Sequence, residues 1–224
     1  MKNILWLPLD LPPVPKEITL ENIESLYNYI PNFSSNEQAD LAKNKQFYKY
    51  AWNSYRLREI EEKEASWESQ NSEELWRWTA ESRLTCPKLI QYIEDHLPLK
   101  KIRAASIMSS RGTVPAHFDM SPNLPHESKY IYIDNEPSMY RLLLDGIIKE
   151  NSFYVASPSK KSYINLPTDS PGWVMGSFSC THGNDEEVPY QKIILYIIGE
   201  VDIDRHQTLV NKSYEKYKEY AILI

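Results

Sequence analysis

The sequence predicts an α+β protein that is mainly β, a β-barrel or sandwich preceded by a helical segment. Two observations carry this. Before about residue 100 the apolar residues recur at helical spacing, and after it the chain reads as short strands separated by Gly, Pro, Asn and Asp. A third bounds it: 224 residues that are 42% hydrophobic and 12% aromatic can bury one sizeable core. The expected organisation is a helical segment over 1–99 packed against the barrel, a barrel core over 100–204, and a helical tail over 205–224.

The elements follow in order. The opening stretch MKNILWLPLDLPPVPK has a lysine and a short apolar run, but Pro8, Asp10 and the Pro12-Pro13 pair break it, so no signal peptide is expected. Thr19 caps a segment that places Leu20, Ile23, Leu26, Tyr27 and Ile30 on one face. Pro87 opens a second helix carrying Leu89, Ile90, Ile93 and Leu97. The stretch between, with the acidic run at 59–64 and Trp67, Trp76 and Trp78, has no clear period; tryptophans there are expected to pack on a sheet.

Beyond residue 100, strands are expected at KIRAASIM, KYIYID, MYRLLLD, SFYVAS, KSYINL, GWVMGSF and QKIILYIIGEV. The tail from Asn211 reads as a short helix, and there is no internal repeat.

Charge and cysteine content exclude several functional classes. The net charge is −6 with no Lys/Arg run longer than a pair, which argues against nucleic acid or an anionic membrane as partner. No apolar run approaches the ~20 residues needed to cross a bilayer. Cys86 and Cys180 are too few for a disulfide framework and wrongly spaced for a zinc knuckle, so a cytoplasmic setting is expected. Cys180 and His182 form half of a zinc site with no second thiol near, and Cys180 reads better as a small strand residue.

The chemistry concentrates in VPAHFDMSPN. On an extended chain His117 and Asp119 point to one side, so imidazole and carboxylate could reach one ion. A third ligand must come from elsewhere. His182, in PGWVMGSFSCTHGND, follows a strand, and a barrel can bring it beside His117. Two imidazoles and a carboxylate on one octahedral face leave three positions open, the arrangement of non-haem Fe(II) oxygenases. His126, in the loop-like NLPHESK, is the rival third ligand, and a zinc cupin with another ligand set stays open.

Ten residues after His182, Lys192 begins the alternation Lys192, Ile194, Tyr196, Ile198 against Ile193, Leu195, Ile197, in a strand apolar on both faces. Its ammonium therefore enters the interior and needs an anion. Arg141, in SMYRLLLDG, shares that logic. Two inward cations suit a small dicarboxylate; internal ion pairs, with Asp145 or Glu200, are the plainer alternative.

Together, His117-x-Asp119, Arg141 on a later strand, and His182 followed ten residues on by a basic residue resemble the Fe(II)- and 2-oxoglutarate-dependent oxygenases. The closest resemblance is to the aspartyl/asparaginyl β-hydroxylase-like branch, which includes free-proline hydroxylases. The match covers roughly residues 100–202. It implies a double-stranded β-helix, the jelly-roll or cupin-like barrel, with Fe(II) on His117, Asp119 and His182, and O2 and 2-oxoglutarate as cosubstrates. It also implies that Arg141 meets the C1 end of 2-oxoglutarate and that Lys192, standing where that branch usually has Arg, takes the C5 carboxylate. The implied reaction is hydroxylation of a C–H bond in an amino acid, peptide or protein side chain, with succinate and CO2 as co-products. A carboxylate ligand disfavours halogenation. Tyr130 and Tyr132 are either cosubstrate contacts or ordinary strand residues. The competing readings are a non-catalytic cupin-like metal-binding protein and a zinc hydrolase on a related barrel.

Overall fold

In a computed structural model, residues 4–23, 53–60, 76–112, 116–117, 139–148, 152–157, 159–176, 180–185 and 188–223 are described. In chain order the elements are β1 (Ile4–Pro8), β2 (Asn53–Ile60), β3 (Trp76–Trp78), α1 (Ala80–Thr85), α2 (Pro87–His96), β4 (Leu99–Gly112) and β5 (Met139–Asp145). Then come β6 (Tyr154–Ala156), β7 (Lys161–Tyr163), β8 (Gly172–Met175), β9 (Thr181–Gly183), β10 (Val188–Val201), α3 (Ile203–Tyr217) and β11 (Ile222–Leu223). They form an eight-stranded sheet, β11-β1-β8-β5-β10-β4-β2-β3, and a three-stranded sheet, β7-β6-β9. The protein is mostly β and its ladders are antiparallel. Among the described residues the two sheets do not close into one barrel.

Alternation along the central strands sorts the large sheet into two faces. Tyr140, Leu142 and Leu144 of β5, Ile193, Leu195 and Ile197 of β10, and Ala105 and Ile107 of β4 join a core with Leu89, Ile90 and Ile93 of α2; Leu209, Val210 and Tyr214 of α3 pack against it. The opposite face of the sheet, with Ile194 and Trp173, packs with Val155 of the small sheet, Ile164 and Leu166. The result is a sandwich whose outer side is covered by helices.

Local chemistry explains the helices. Pro87 stands at the start of α2, and the Glu17 carboxylate accepts the backbone N–H groups of Lys88 (3.2 Å) and Leu89 (2.7 Å), the orphan donors of a helix start. The helix thus begins where the sequence places it. α3 starts earlier than Asn211: Asp202 caps it by accepting the Arg205 N–H. At Thr19, the Ile23 N–H donates to the Thr19 carbonyl at 3.0 Å, a helical bond; Leu26, Tyr27 and Ile30 lie outside the described residues.

The stretch before residue 100 departs from a purely helical reading, because β1, β2 and β3 join the large sheet. β1 hydrogen-bonds to β8 and β11, and β2 to β4, so their partners are remote in sequence. Trp76 and Trp78 belong to β3, and Trp78 is buried with its Nε1 donating to Glu94. Trp67 and KYIYID, with Tyr130 and Tyr132, lie outside the described residues.

Two glycines are fixed by close approach. At Gly172 a Cβ would stand 2.3 Å from the Arg141 carbonyl oxygen, and at Gly199 one would stand 2.0 Å from that of Lys101. Gly172 therefore lets β8 lie against β5 beside Arg141. Gly199 sits at the bulge between β10 and β4.

Candidate functional site

His182 lies within β9, where it is cross-strand partner to Val155 of β6. Directly opposed residues project to the same side of a sheet. Val155 is fully buried in the inter-sheet core with Trp173 and Ile194, so His182 also faces the sandwich interior, and it is itself buried. Its other neighbour is His117. The two exchange backbone hydrogen bonds, His117 N–H to the His182 carbonyl at 3.0 Å and His182 N–H to the His117 carbonyl at 2.9 Å.

That short antiparallel bridge brings residues 65 positions apart side by side, with ring centroids 4.3 Å apart. Two imidazoles bound cis to one ion through nitrogens about 2.1 Å away put their centroids roughly 4–5 Å apart. The pair fits the imidazole part of a two-histidine, one-carboxylate set. The His182 Nδ1 lies 3.5 Å from the Cys180 carbonyl, and the Phe153 ring lies tilted beside it with centroids 5.9 Å apart. Cys180 is buried in the same inter-sheet core, as a small strand residue would be.

Asp119 and His126 lie outside the described residues, and among the described residues no group of three or more His, Cys, Asp or Glu side chains is placed to hold a metal.

Across the sandwich stand the two cations. Arg141 is opposite Tyr196 on β10, and its guanidinium carbon lies 5.3 Å from the Tyr196 ring centroid. Lys192 shares a face with Ile194 and Tyr196, because β10 keeps regular register against β4 from Lys192 to Ile198. Both side chains are buried, at 2% and 8% exposure. Burial pulls the Lys192 pKa below the ordinary lysine range, since the charged form loses its water.

The carboxylates that sequence offered as partners are used elsewhere. A register shift turns Asp145 to pair with Ile193, and its oxygens accept the N–H groups of Leu20 and Gly146, each at 2.8 Å. Glu200 lies 3.9 Å from Lys101 at the surface.

No protein-family model matches the chain, and no curated protein matches it. One solved structure to which it is similar is a crystal structure of an oxidoreductase of the 2OG-Fe(II) oxygenase family from Burkholderia pseudomallei. Identity is 11% and the TM-score 0.38, over 76% of this chain and 82% of that one.

Sequence reasoning missed Trp173 as a neighbour of the cations, although GWVMGSF was read as a strand. The signal lies in register: Trp173 falls opposite Arg141, which no local pattern encodes. Asn184 is also buried beside His182, two residues on, and drew no notice in sequence. No helix among the described residues is long and apolar enough to cross a membrane.

Proposed function

We propose that the protein is an Fe(II)- and 2-oxoglutarate-dependent dioxygenase that hydroxylates a C–H bond of an amino acid, peptide or protein side chain, on a jelly-roll double-stranded β-helix. The single observation that carries this reading is the pairing of His117 and His182 on one sheet of the sandwich, facing the sheet that carries buried Arg141 and Lys192.

In this proposal His117, His182 and Asp119 hold the iron. Asp119 follows His117 by two residues, the spacing that aims two side chains of an extended chain the same way. Arg141 and Lys192 take the two carboxylates of 2-oxoglutarate. A dianion offsets the cost of keeping two cations out of water, and the distance between the carboxylates sets its direction in the site. The guanidinium supplies a two-pronged contact and the ammonium a single point of charge. Held by these residues, Fe(II) would supply O2 activation, with O2 as the oxidant: one oxygen atom and two electrons' worth of oxidation go to 2-oxoglutarate, giving succinate and CO2, and the same go to the substrate C–H bond.

The chain's own contribution is orientation and dryness. Phe153, Val155, Ile194 and Trp173 surround the facing polar groups with apolar surface, which strengthens each charge interaction and keeps bulk water from the reacting centre. A cytoplasmic setting belongs to the same proposal: both cysteines are buried thiols, and burial pushes Cys86 up to about 11. The partners are a small-molecule, peptide or protein substrate, with neither nucleic acid nor membrane required.

Anaerobic titration of the protein with Fe(II) and then 2-oxoglutarate tests the proposal. A visible charge-transfer band is expected, together with substrate-stimulated succinate formation when air is admitted. His182→Ala should abolish the band and weaken iron by at least about a hundredfold, more than loss of a supporting group costs, while the strands stay folded. Normal iron affinity in that variant would reassign the third ligand to His126. No band at all would favour a zinc enzyme or a metal-binding cupin.

A further inference from the structure

The inner face of the large sheet carries two buried indole N–H groups. Trp6 on β1 and Trp173 on β8 are 0% and 3% exposed, and among the described residues neither Nε1 has a hydrogen-bond partner. A donor buried in this way has given up its water and received nothing in exchange. A bound ligand or water would supply the acceptor that the described residues do not.

The two indoles are placed differently. Trp173 is directly opposite Arg141 across the β5–β8 ladder, and Arg141 is opposite Tyr196 across β5–β10, so the three form one row on the face turned toward the small sheet. Opposed side chains start only about 5 Å apart, within reach of an indole. Trp6 is one row away, opposite Met175 and Ile222 toward the β11 edge.

We propose that Trp173 donates its indole N–H to the carboxylate that Arg141 binds, which makes it a specificity-determining residue of the anion site. This rests on the reading of that site as one for 2-oxoglutarate. The chemistry is complementary: a carboxylate offers about four acceptor positions, so it can take the guanidinium and the indole together. The indole is rigid and cannot act as an acceptor. It therefore favours a carboxylate over a group that presents a donor at the same place, which a guanidinium alone would do less sharply. Gly172, whose missing side chain lets β8 approach the Arg141 carbonyl, keeps the adjacent Trp173 in register with Arg141.

The test compares Trp173→Phe with Trp6→Phe in the full chain, reading 2-oxoglutarate affinity of the anaerobic Fe(II) protein by calorimetry, Fe(II) affinity, and Tm. Each variant removes one buried donor without an acceptor. Trp173→Phe should weaken 2-oxoglutarate roughly tenfold to a hundredfold, the range for a hydrogen bond to a charged group, with Fe(II) affinity unchanged. Trp6→Phe should leave 2-oxoglutarate binding as it was. If Phe lowers Tm, benzothienylalanine at position 173 replaces the N–H by sulfur at nearly constant shape and gives the same comparison. Unchanged affinity in the Trp173 variants, beside a wild type that binds 2-oxoglutarate, overturns the inference and leaves the indole to an internal water. Equal weakening by both Phe variants overturns it too, as a packing effect. A wild type that binds Fe(II) but no 2-oxoglutarate overturns the cosubstrate reading itself.

Discussion

The two faces of the large sheet share the same strands and differ in almost everything else. On β5, Tyr140, Leu142 and Leu144 turn to the helices while Arg141 and Leu143 turn to the small sheet; on β10, Ile193, Leu195 and Ile197 oppose Lys192, Ile194 and Tyr196. The helix-covered face has apolar residues in unbroken rows. The inner face mixes apolar residues with two buried cations and an indole donor. A period of two lets neighbouring residues serve stability and chemistry separately. Perturbing one face should therefore leave the other's property intact.

The most severe way to break the comparison removes the support of the covered face. A chain beginning at Lys100 lacks β1, β2 and β3 from the large sheet, and α2 with its buried Leu89 and Ile93. The expected outcome is an insoluble or unfolded fragment, because the lost burial exceeds the whole margin of about 5–15 kcal/mol that holds a domain together. A soluble 100–224 fragment with full 2-oxoglutarate binding would show that the first 99 residues form a separable unit.

A sharper comparison uses one residue from each face. Leu142→Ala opens a cavity in the covered core and should cost about 2–5 kcal/mol of stability. Its effect on 2-oxoglutarate affinity should be small at a temperature where it remains folded. Lys192→Ala should do the reverse. Loss of a buried partner for a carboxylate costs about 2–5 kcal/mol in binding, roughly 30-fold to several-thousand-fold in affinity. Fe(II) affinity should hold. A large fall in Tm with an unchanged 2-oxoglutarate dissociation constant would make Lys192 part of a structural ion pair.

The same division explains what was legible in the sequence. MYRLLLD and QKIILYIIGEV read as strands because their alternation is local, and the inward turn of Arg141 and Lys192 follows from it. Helix α2 was legible through Pro87 and its apolar spacing. β1 was not: five residues, ILWLP, look like a broken leader, and they become a strand only through ladders to β8 and β11, more than 160 residues away. β2 hid in a stretch without a clear period. At the site, the nearness of His117 and His182 comes from a two-residue bridge between distant segments, which no local pattern carries. Asp119 lies outside the described residues, so the carboxylate ligand rests on spacing alone. The shift at Leu144 that turns Asp145 away from the inner face depends on register between strands, which no local pattern carries.

The smallest expected effect is a pH dependence confined to the covered face. His206, on α3, is 4% exposed, and its Nδ1 lies 2.5 Å from the hydroxyl of fully buried Tyr140. The phenol O–H donates to the neutral ring when Nδ1 carries no proton. Burial pushes His206 from 6.5 down to about 4, since the imidazolium would lose its water, and its place in the first turn of α3 also disfavours positive charge. The unfolded chain therefore binds the proton first as pH falls. The stabilisation is complete above about pH 6.5 and is lost progressively down to about pH 4. Between about pH 7 and pH 5 this removes on the order of 2 kcal/mol. The carboxylates around α3 do not share that window: the lysine partners of Asp10 and Asp169 hold them below their ordinary value of 3.8, so their contribution disappears only at lower pH. His206→Asn keeps a hydrogen-bonding atom near Tyr140 and cannot titrate. It should be less stable at neutral pH, with a flatter profile between about pH 7 and pH 5, measured by urea unfolding at each pH. A variant whose stability falls as steeply as the wild type would remove His206 as the source of the pH dependence and sink the assignment.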